Sequence, residues 1–378
     1  MSPDGMEAAA IRQAPVAGRV PVLEVRNVCK RFGESLAVND VSFEVYDGEF
    51  LFLIGPSGCG KTTTLRMIGG YETPSAGEIA IRGRVMNDVP LDKRNIGMVF
   101  QSYALFPHMT VRQNVEFGLK TRGIGRSERR EKAEGALKLV ELEDLGDRFP
   151  SQLSGGQRQR VALARVIVYE PDILLLDEPL ANLDKRLRDV MRIELKKLQE
   201  KVGITTLYVT HDQEEALAMA DRIAVMDQGN LLQVGAPREV YNQPKTSFVA
   251  TFLGETSSFT GFVDGVTDDI AHIVMEEGFR SAVRHANDIA KGDRLTISIR
   301  PERVQLSKER PAQMENIFAG TVDFVEYLGA YAVYLIRLES GKAMIEASEP
   351  IPSGQNSFEV GDHVFASWDV DHVVYIRD

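Results

Sequence analysis

Between residues 22 and 46 the chain alternates apolar and polar positions, with Leu23 and Val25 in one run and Val41, Phe43 and Val45 in another. A period of two predicts half-buried antiparallel strands. Residues 49–54 form a nearly continuous apolar run, the pattern of a strand covered on both faces. A glycine-rich loop follows, then a helical stretch with Leu65 and Ile68, ended by Gly69 and Gly70. A turn at 74–77 leads into a strand at 78–81. Residues 103–170 read as mainly helical. Ser127 is placed to cap a helix with Ala133, Leu137 and Val140 on one face. Residues 173–176 are a second buried strand. Leu187, Val190, Met191, Leu195 and Leu198 form an apolar stripe at helical spacing. Residues 204–210 and 223–226 are two further strands. Strands alternating with helices predict an α/β sheet with parallel strands.

The texture changes near Pro244. From Phe259 onward short alternating runs, such as 295–299, 332–338 and 373–376, are separated by Gly, Asp and Ser. This predicts a smaller all-β domain, a barrel or sandwich. The organisation expected is a flexible tail over 1–20, an α/β domain over 21–250 and a β-rich domain over 251–378.

Composition narrows the partners. The net charge of −11 argues against nucleic acid or an anionic lipid surface as the main partner. Two cysteines in 378 residues do not make a disulfide framework and suit a reducing cytoplasm. The first twenty residues lack an apolar core of signal-peptide length. No apolar run reaches the length of a membrane span, so any membrane work falls to a partner.

The chemistry begins at Gly55-Pro56-Ser57-Gly58-Cys59-Gly60-Lys61-Thr62, between a buried strand and a helix. Glycines let such a loop curl its N–H groups toward phosphate oxygens, and the helix N-terminus adds positive partial charge. Lys61 reaches the β- and γ-phosphates, and the Thr62 hydroxyl ligates Mg²⁺. Asp177 and Glu178 follow the strand at 173–176, where ligands bind at sheet edges. Asp177 suits Mg²⁺, and Glu178 suits a general base on water. Leu153-Ser154-Gly155-Gly156-Gln157 opens another helix, either as a second anion-friendly site or as a plain capping turn. One chain with two half-sites for phosphate is what a symmetric dimer can unite. The histidines other than His211 show no metal-ligand spacing.

With these motifs in this order, the chain resembles an ATPase subunit of the ABC superfamily. The resemblance implies an α/β P-loop ATPase core with antiparallel β and helical subdomains, followed by a smaller OB-like domain. It implies ATP and Mg²⁺ as cofactors. It gives Phe32 the adenine ring, extends the nucleotide contacts to Thr63, and gives Gln101 the metal and the attacking water. Ala181-Asn182-Leu183-Asp184 matches the loop that crosses the dimer interface, placing Asp184 at the nucleotide, and His211 matches the switch histidine on the γ-phosphate. Phe32 stands where Tyr is more usual, and Ala181 where Ser is common. Two copies would close head to tail, each ATP lying between the 55–62 loop of one and residues 154–157 of the other.

The resemblance makes the segment 103–111, with Tyr103, Leu105 and Phe106, a docking surface for a membrane subunit, the alternative being core packing. Residues 235–250 and Arg300-Pro301-Glu302 resemble importer ATPases with a transport-associated OB-type domain. Phe252-Leu253-Gly254-Glu255 and Trp368 followed by Val373-Val374 are most similar to the polyamine branch, with sugar, ferric iron, sulfate and phosphonate importers as alternatives. The resemblance further implies a homodimer, two integral membrane permease subunits, an extracytoplasmic solute-binding protein acting indirectly, no nucleic acid, and a peripheral place on the cytoplasmic face of the inner membrane. A soluble ABC ATPase acting on ribosomes or DNA fits poorly, because one cassette and no long heptad array are present. A purely regulatory module fits poorly with an intact Glu178.

Overall fold

The computed structural model describes residues 20–285, 289–312, 314–340, 342–351 and 357–377. The tail expected over 1–20 therefore lies outside the described residues, apart from Val20. The chain divides into two compact units, 1–238 and 239–378.

In the first unit, β1 (Pro21–Phe32), β2 (Ser35–Tyr46), β4 (Ala76–Ile81) and β5 (Arg84–Val85) form an antiparallel sheet in the order β2-β1-β4-β5. The second sheet has the order β10-β9-β3-β8-β7-β6. It comprises β3 (Phe50–Ile54), β6 (Ile96–Val99), β7 (Ile173–Asp177), β8 (Thr206–Thr210), β9 (Arg222–Asp227) and β10 (Asn230–Gly235). Its strands run parallel except β10, which returns antiparallel beside β9. Every residue of β3, β7 and β8 is buried, which is why those stretches read as continuous apolar runs. Each large apolar side chain so buried contributes about 1.5–3 kcal/mol. Those of β3, β7 and β8 hold the sheet edge that bears the chemistry.

The helices of this unit are α1 (Lys61–Gly69), α2 (Val111–Thr121), α3 (Arg126–Leu139), α4 (Gly155–Ile167), α5 (Lys185–Val202) and α6 (Gln213–Met219). Val111, Val115, Leu137, Val161 and Ala164 make α2, α3 and α4 share a small core of their own. Arg94 anchors the far end of α1 by donating to the carbonyls of Met67 (2.9 Å) and Ile68 (2.7 Å). The stripe expected on α5 holds at Met191 and Leu195, which are buried. Val190 departs from it: the residue is 47% exposed, one position round from the core face. Three strands of this unit escaped the sequence reading: the two-residue β5, β6 and β10. β6 is four residues with a glycine inside, and β10 is only half-buried over Asn230, Leu231 and Leu232.

The second unit contains α7 (Pro237–Asn242), whose last four residues belong to it, and α8 (Ser247–Phe252). Two five-stranded antiparallel sheets follow. The first comprises β11 (Ser257–Thr267), β12 (Ile270–Met275), β13 (Arg280–Arg284), β14 (Arg294–Ile299) and β20 (Val373–Ile376). The second comprises β15 (Gln305–Ser307), β16 (Asn316–Tyr327), β17 (Tyr331–Leu338), β18 (Met344–Pro350) and β19 (His363–Trp368). They share one core that includes Ile297, Tyr334 and Trp368. This is the all-β domain that the alternating runs predict, with the OB-like architecture that the resemblance implies. Its edge with the preceding helices is tied by Arg300, which donates to the carbonyls of Ala250 (2.8 Å), Gly254 (3.1 Å), Glu255 (3.1 Å) and Tyr241 (3.2 Å). Those bonds carry residues 239–250 into the second unit, upstream of the 250/251 boundary read from the sequence.

Candidate functional site

β3 ends at Ile54 and runs straight into the glycine-rich loop. Gly55 and Gly60 are where the loop needs glycine. A Cβ on Gly55 would stand 2.1 Å from the Met226 carbonyl oxygen, and one on Gly60 would stand 2.5 Å from that of Ala37. Gly60 also has φ +106. It precedes α1 with no side-chain cap and no acid in the first turn, so the helix presents its first N–H groups uncapped. Pro56, Ser57, Gly58 and Cys59 form the body of the loop. Cys59 is buried, and burial pushes its thiol up, away from the reactive thiolate.

Lys61 is 5% exposed. Its Nζ donates to the carbonyls of Gly55 (2.7 Å) and Pro56 (2.8 Å), so a positive charge is held inside the loop. Thr62 Oγ1 lies 3.3 Å from Asp177 Oδ1. Asp177 ends β7 and is 9% exposed. Burial pushes its carboxyl up from the usual range; the Thr62 hydroxyl opposes this, and Glu178 adds to it. A carboxylate and a hydroxyl side by side, with the carboxylate short of positive charge, are hard oxygen donors fitted to Mg²⁺. Among the described residues no cluster of three or more His, Cys, Asp or Glu could hold a metal. Thr63 follows on α1, beside these groups in sequence.

Register brings the remaining groups to the same edge. Ile54 pairs with Thr210 and Val209 with Asp177, so β3, β8 and β7 finish together. Glu178 and His211 are the next residues past those ends. Glu178 has φ +45, a left-handed conformation rare for a non-glycine residue, and its N–H donates to the Val209 carbonyl at 2.9 Å. This turn aims its carboxylate at His211: Oε1 and Nδ1 are 2.9 Å apart. Such backbone strain persists where surrounding structure over-determines it. Asp212 then caps α6, its Oδ1 accepting from Glu214 N (2.9 Å) and Glu215 N (3.2 Å). Below it Tyr208 donates to the buried Glu215 at 2.8 Å, and burial pushes the Glu215 carboxyl up.

Gln101 lies just beyond β6, and its side chain is exposed to the solvent. Its carbonyl accepts from Asn182 Nδ2 at 2.8 Å, joining the Gln101 segment to residues 181–184. The next turn places Tyr103 and Ala104 at positive φ. Arg165 of α4, unmarked by any sequence spacing, pins both carbonyls at 2.9 and 2.7 Å. Of the three aromatic and apolar residues weighed for docking, Tyr103 goes into the core. It is 5% exposed and donates to the Pro179 carbonyl at 3.1 Å. Leu105 packs against the α2–α4 core, and Phe106 against Phe117, with ring centroids 4.5 Å apart.

Ser154, Gly155, Gly156 and Gln157 open α4 with a closed capping box: Gln157 N donates to Ser154 Oγ (3.3 Å), and Ser154 N to Gln157 Oε1 (2.9 Å). Gly155 lies against Leu183, where a Cβ would be 3.1 Å from Cδ2. Asp184 caps α5, accepting from Leu187 N at 3.0 Å. Among the described residues these two helix starts make their side-chain hydrogen bonds locally and not to the 55–62 loop. Phe32, at the end of β1, is 48% exposed with Lys30 Nζ 4.8 Å from its ring centre, an open aromatic face.

The chain matches the ABC transporter family over residues 38–181 and the TOBE domain family over 297–376. It is 46% identical over 359 residues to the spermidine/putrescine import ATP-binding protein PotA 2 of Pseudomonas aeruginosa, covering 94% of this chain and 99% of the relative. It is 47% identical to the spermidine/putrescine import ATP-binding protein PotA of Trichormus variabilis over 84% of both chains. Among solved structures, an ATP-binding cassette captured as a post-hydrolysis dimer with ADP and Pi is 36% identical. It covers 57% of this chain and 99% of itself, with a TM-score of 0.50. The cbiO1 protein of Clostridium perfringens, part of the transporter complex cbiONQ, is 32% identical. It covers 58% of this chain and 90% of itself, with a TM-score of 0.55.

Proposed function

The chain belongs to the ATP-binding proteins of the ABC transporter family, and from that premise we propose that it hydrolyses ATP to drive import of a polyamine. The observation that carries the hydrolytic reading is the Glu178–His211 pair, 2.9 Å apart past the ends of adjacent strands and beside the Lys61 loop. The polyamine reading rests on the names of relatives that match along nearly the whole chain.

Mechanistically, Lys61 and the uncapped N–H groups of α1 bind the phosphates, and Phe32 offers its ring to the base. Thr62, Asp177 and Gln101 would hold Mg²⁺, which when bound supplies charge neutralisation at the β- and γ-phosphate oxygens. Glu178 accepts a proton from the attacking water, and His211 orients the Glu178 carboxylate and reaches the γ-phosphate. Residues 154–157 and Asp184 would complete the site of a second copy in a head-to-tail homodimer. Closure excludes water and aligns the nucleophile, which converts binding and hydrolysis into a stroke. Among the described residues no helix is long and apolar enough to cross a membrane. In this reading the transport path lies in two integral membrane permease subunits, with a solute-binding protein on their far side and this chain on the cytoplasmic face.

The test is uptake by cells lacking this chain, with labelled putrescine, spermidine, maltose, sulfate and ferric iron, restored by wild type or Glu178→Gln. Putrescine or spermidine uptake should return with wild type alone. Purified Glu178→Gln should bind ATP and lose about 10²–10⁴-fold in kcat, the usual contribution of a general base. Loss of another solute's uptake overturns the polyamine reading, and normal turnover by Glu178→Gln overturns the base.

A further inference from the structure

Arg188, near the start of α5, touches two segments used in the mechanism proposed above. Its Nη2 donates to the Leu183 carbonyl at 3.2 Å, inside the segment 181–184 that ends at the α5 cap. Its Nη1 donates to Asp212 Oδ2 at 3.3 Å. Asp212 follows His211 directly. Its other oxygen caps α6, and its N–H donates to Thr210 Oγ1 at 2.9 Å. Asp212, next in the chain to His211, is thus held on both sides by these bonds.

We infer that Arg188 is a positioning residue that transmits the seating of residues 181–184 on a partner copy to the His211–Glu178 pair. A guanidinium is suited to this because its rigid fork holds two acceptors at once, whereas an ammonium is a point charge. Arg188 Nε is buried without an acceptor, so the side chain keeps its place against a desolvation cost that the two contacts offset. Breaking either contact therefore loosens both loops. Two neighbouring ion pairs of α5, one to α6 and one to the link between α6 and β9, have another character. Arg192 pairs with Glu214 at 3.1 Å and Lys196 with Asp221 at 2.9 Å. Neither touches residues 181–184 or Asp212, so they brace α5 without joining the two loops.

The inference rests on the hydrolytic reading, and the experiment separates the two. ATPase kinetics and thermal melts are measured on the full chain for wild type, Glu178→Gln, Arg188→Ala, Arg188→Lys, Arg192→Ala, Asp212→Asn and the Arg188→Ala/Asp212→Asn double variant. Asp212→Asn keeps the helix cap and removes the charge. Arg188→Ala should lower kcat about tenfold, the equivalent of about 1.4 kcal/mol, with KM for ATP within about twofold. Arg188→Lys should recover part of the loss, and Arg192→Ala should stay within about twofold of wild type. The double variant should be no slower than the slower single variant, because both remove one tie. Equal losses in Arg188→Ala and Arg192→Ala, an unchanged kcat in Arg188→Ala, or multiplying losses in the double variant overturn the inference. Wild-type turnover in Glu178→Gln overturns the hydrolytic assignment instead.

Discussion

The first unit starts two helices from glycine-rich segments, and the two starts are built in opposite ways. Before α1, Gly60 leaves the helix N-terminus without a side-chain cap, Lys61 is a buried charge on carbonyl oxygens, and Asp177 is a buried carboxyl pushed up by desolvation. Before α4, Ser154 and Gln157 satisfy each other's N–H groups in a closed capping box. The first start holds a buried charge on backbone carbonyls beside a buried carboxyl, groups suited to phosphate and metal in the function proposed above. The second is finished and can offer only its surface.

Lys61→Ala is the harshest test of this contrast. It removes charge-assisted hydrogen bonds worth about 1.5–3 kcal/mol each, so ATP affinity measured by calorimetry should fall about a hundredfold. Unchanged affinity would mean that the α1 start is not the primary phosphate site.

Asp177→Asn should separate stability from function. Because burial raises the folded pKa of Asp177, its contribution to stability is fully present below the unfolded value, about 3.9, and is lost as pH rises through the folded value. At pH 7 the neutral amide should therefore melt about 2 °C higher than wild type without nucleotide, an advantage that shrinks toward pH 4. Mg²⁺-dependent turnover should fall at least about tenfold. A lower melting temperature at pH 7 would mean that Asp177 is a structural anchor.

The mildest change is Ser154→Ala. Loss of the cap should cost about 1 kcal/mol in thermal or denaturant unfolding. ATP affinity of the separate chain should stay within about twofold, while ATP-driven dimerisation, followed by light scattering, weakens. A loss of ATP affinity like that of Lys61→Ala would erase the distinction between the two starts.

The parts legible in the sequence are those encoded by adjacent residues. The phosphate loop, the acid pair after 173–176, the cap at Ser154 and the buried β3, β7 and β8 each follow from a short string and its period. β6 and β10 were not legible, because a four-residue strand containing glycine and a half-buried edge strand carry little period of their own. The docking triplet was only partly legible: nothing in its sequence says that Arg165 and the Pro179 carbonyl draw the Tyr103 segment inward. The boundary between units shifted for a similar reason, since Arg300 reaches back to the carbonyls of residues far earlier in the chain.

By itself the sequence determined the kind of chemistry, because glycine, lysine and threonine at fixed spacing between a strand and a helix define a phosphate loop through local backbone geometry alone. The tertiary structure decided which of those groups meet. The parallel register of β3, β8 and β7 sets Glu178 against His211, and the crossing of α5 over the start of α6 lets one guanidinium hold Leu183 and Asp212 together. Those pairings join residues distant in the chain, and only the packing of the sheet and its helices supplies the energy that keeps them in place.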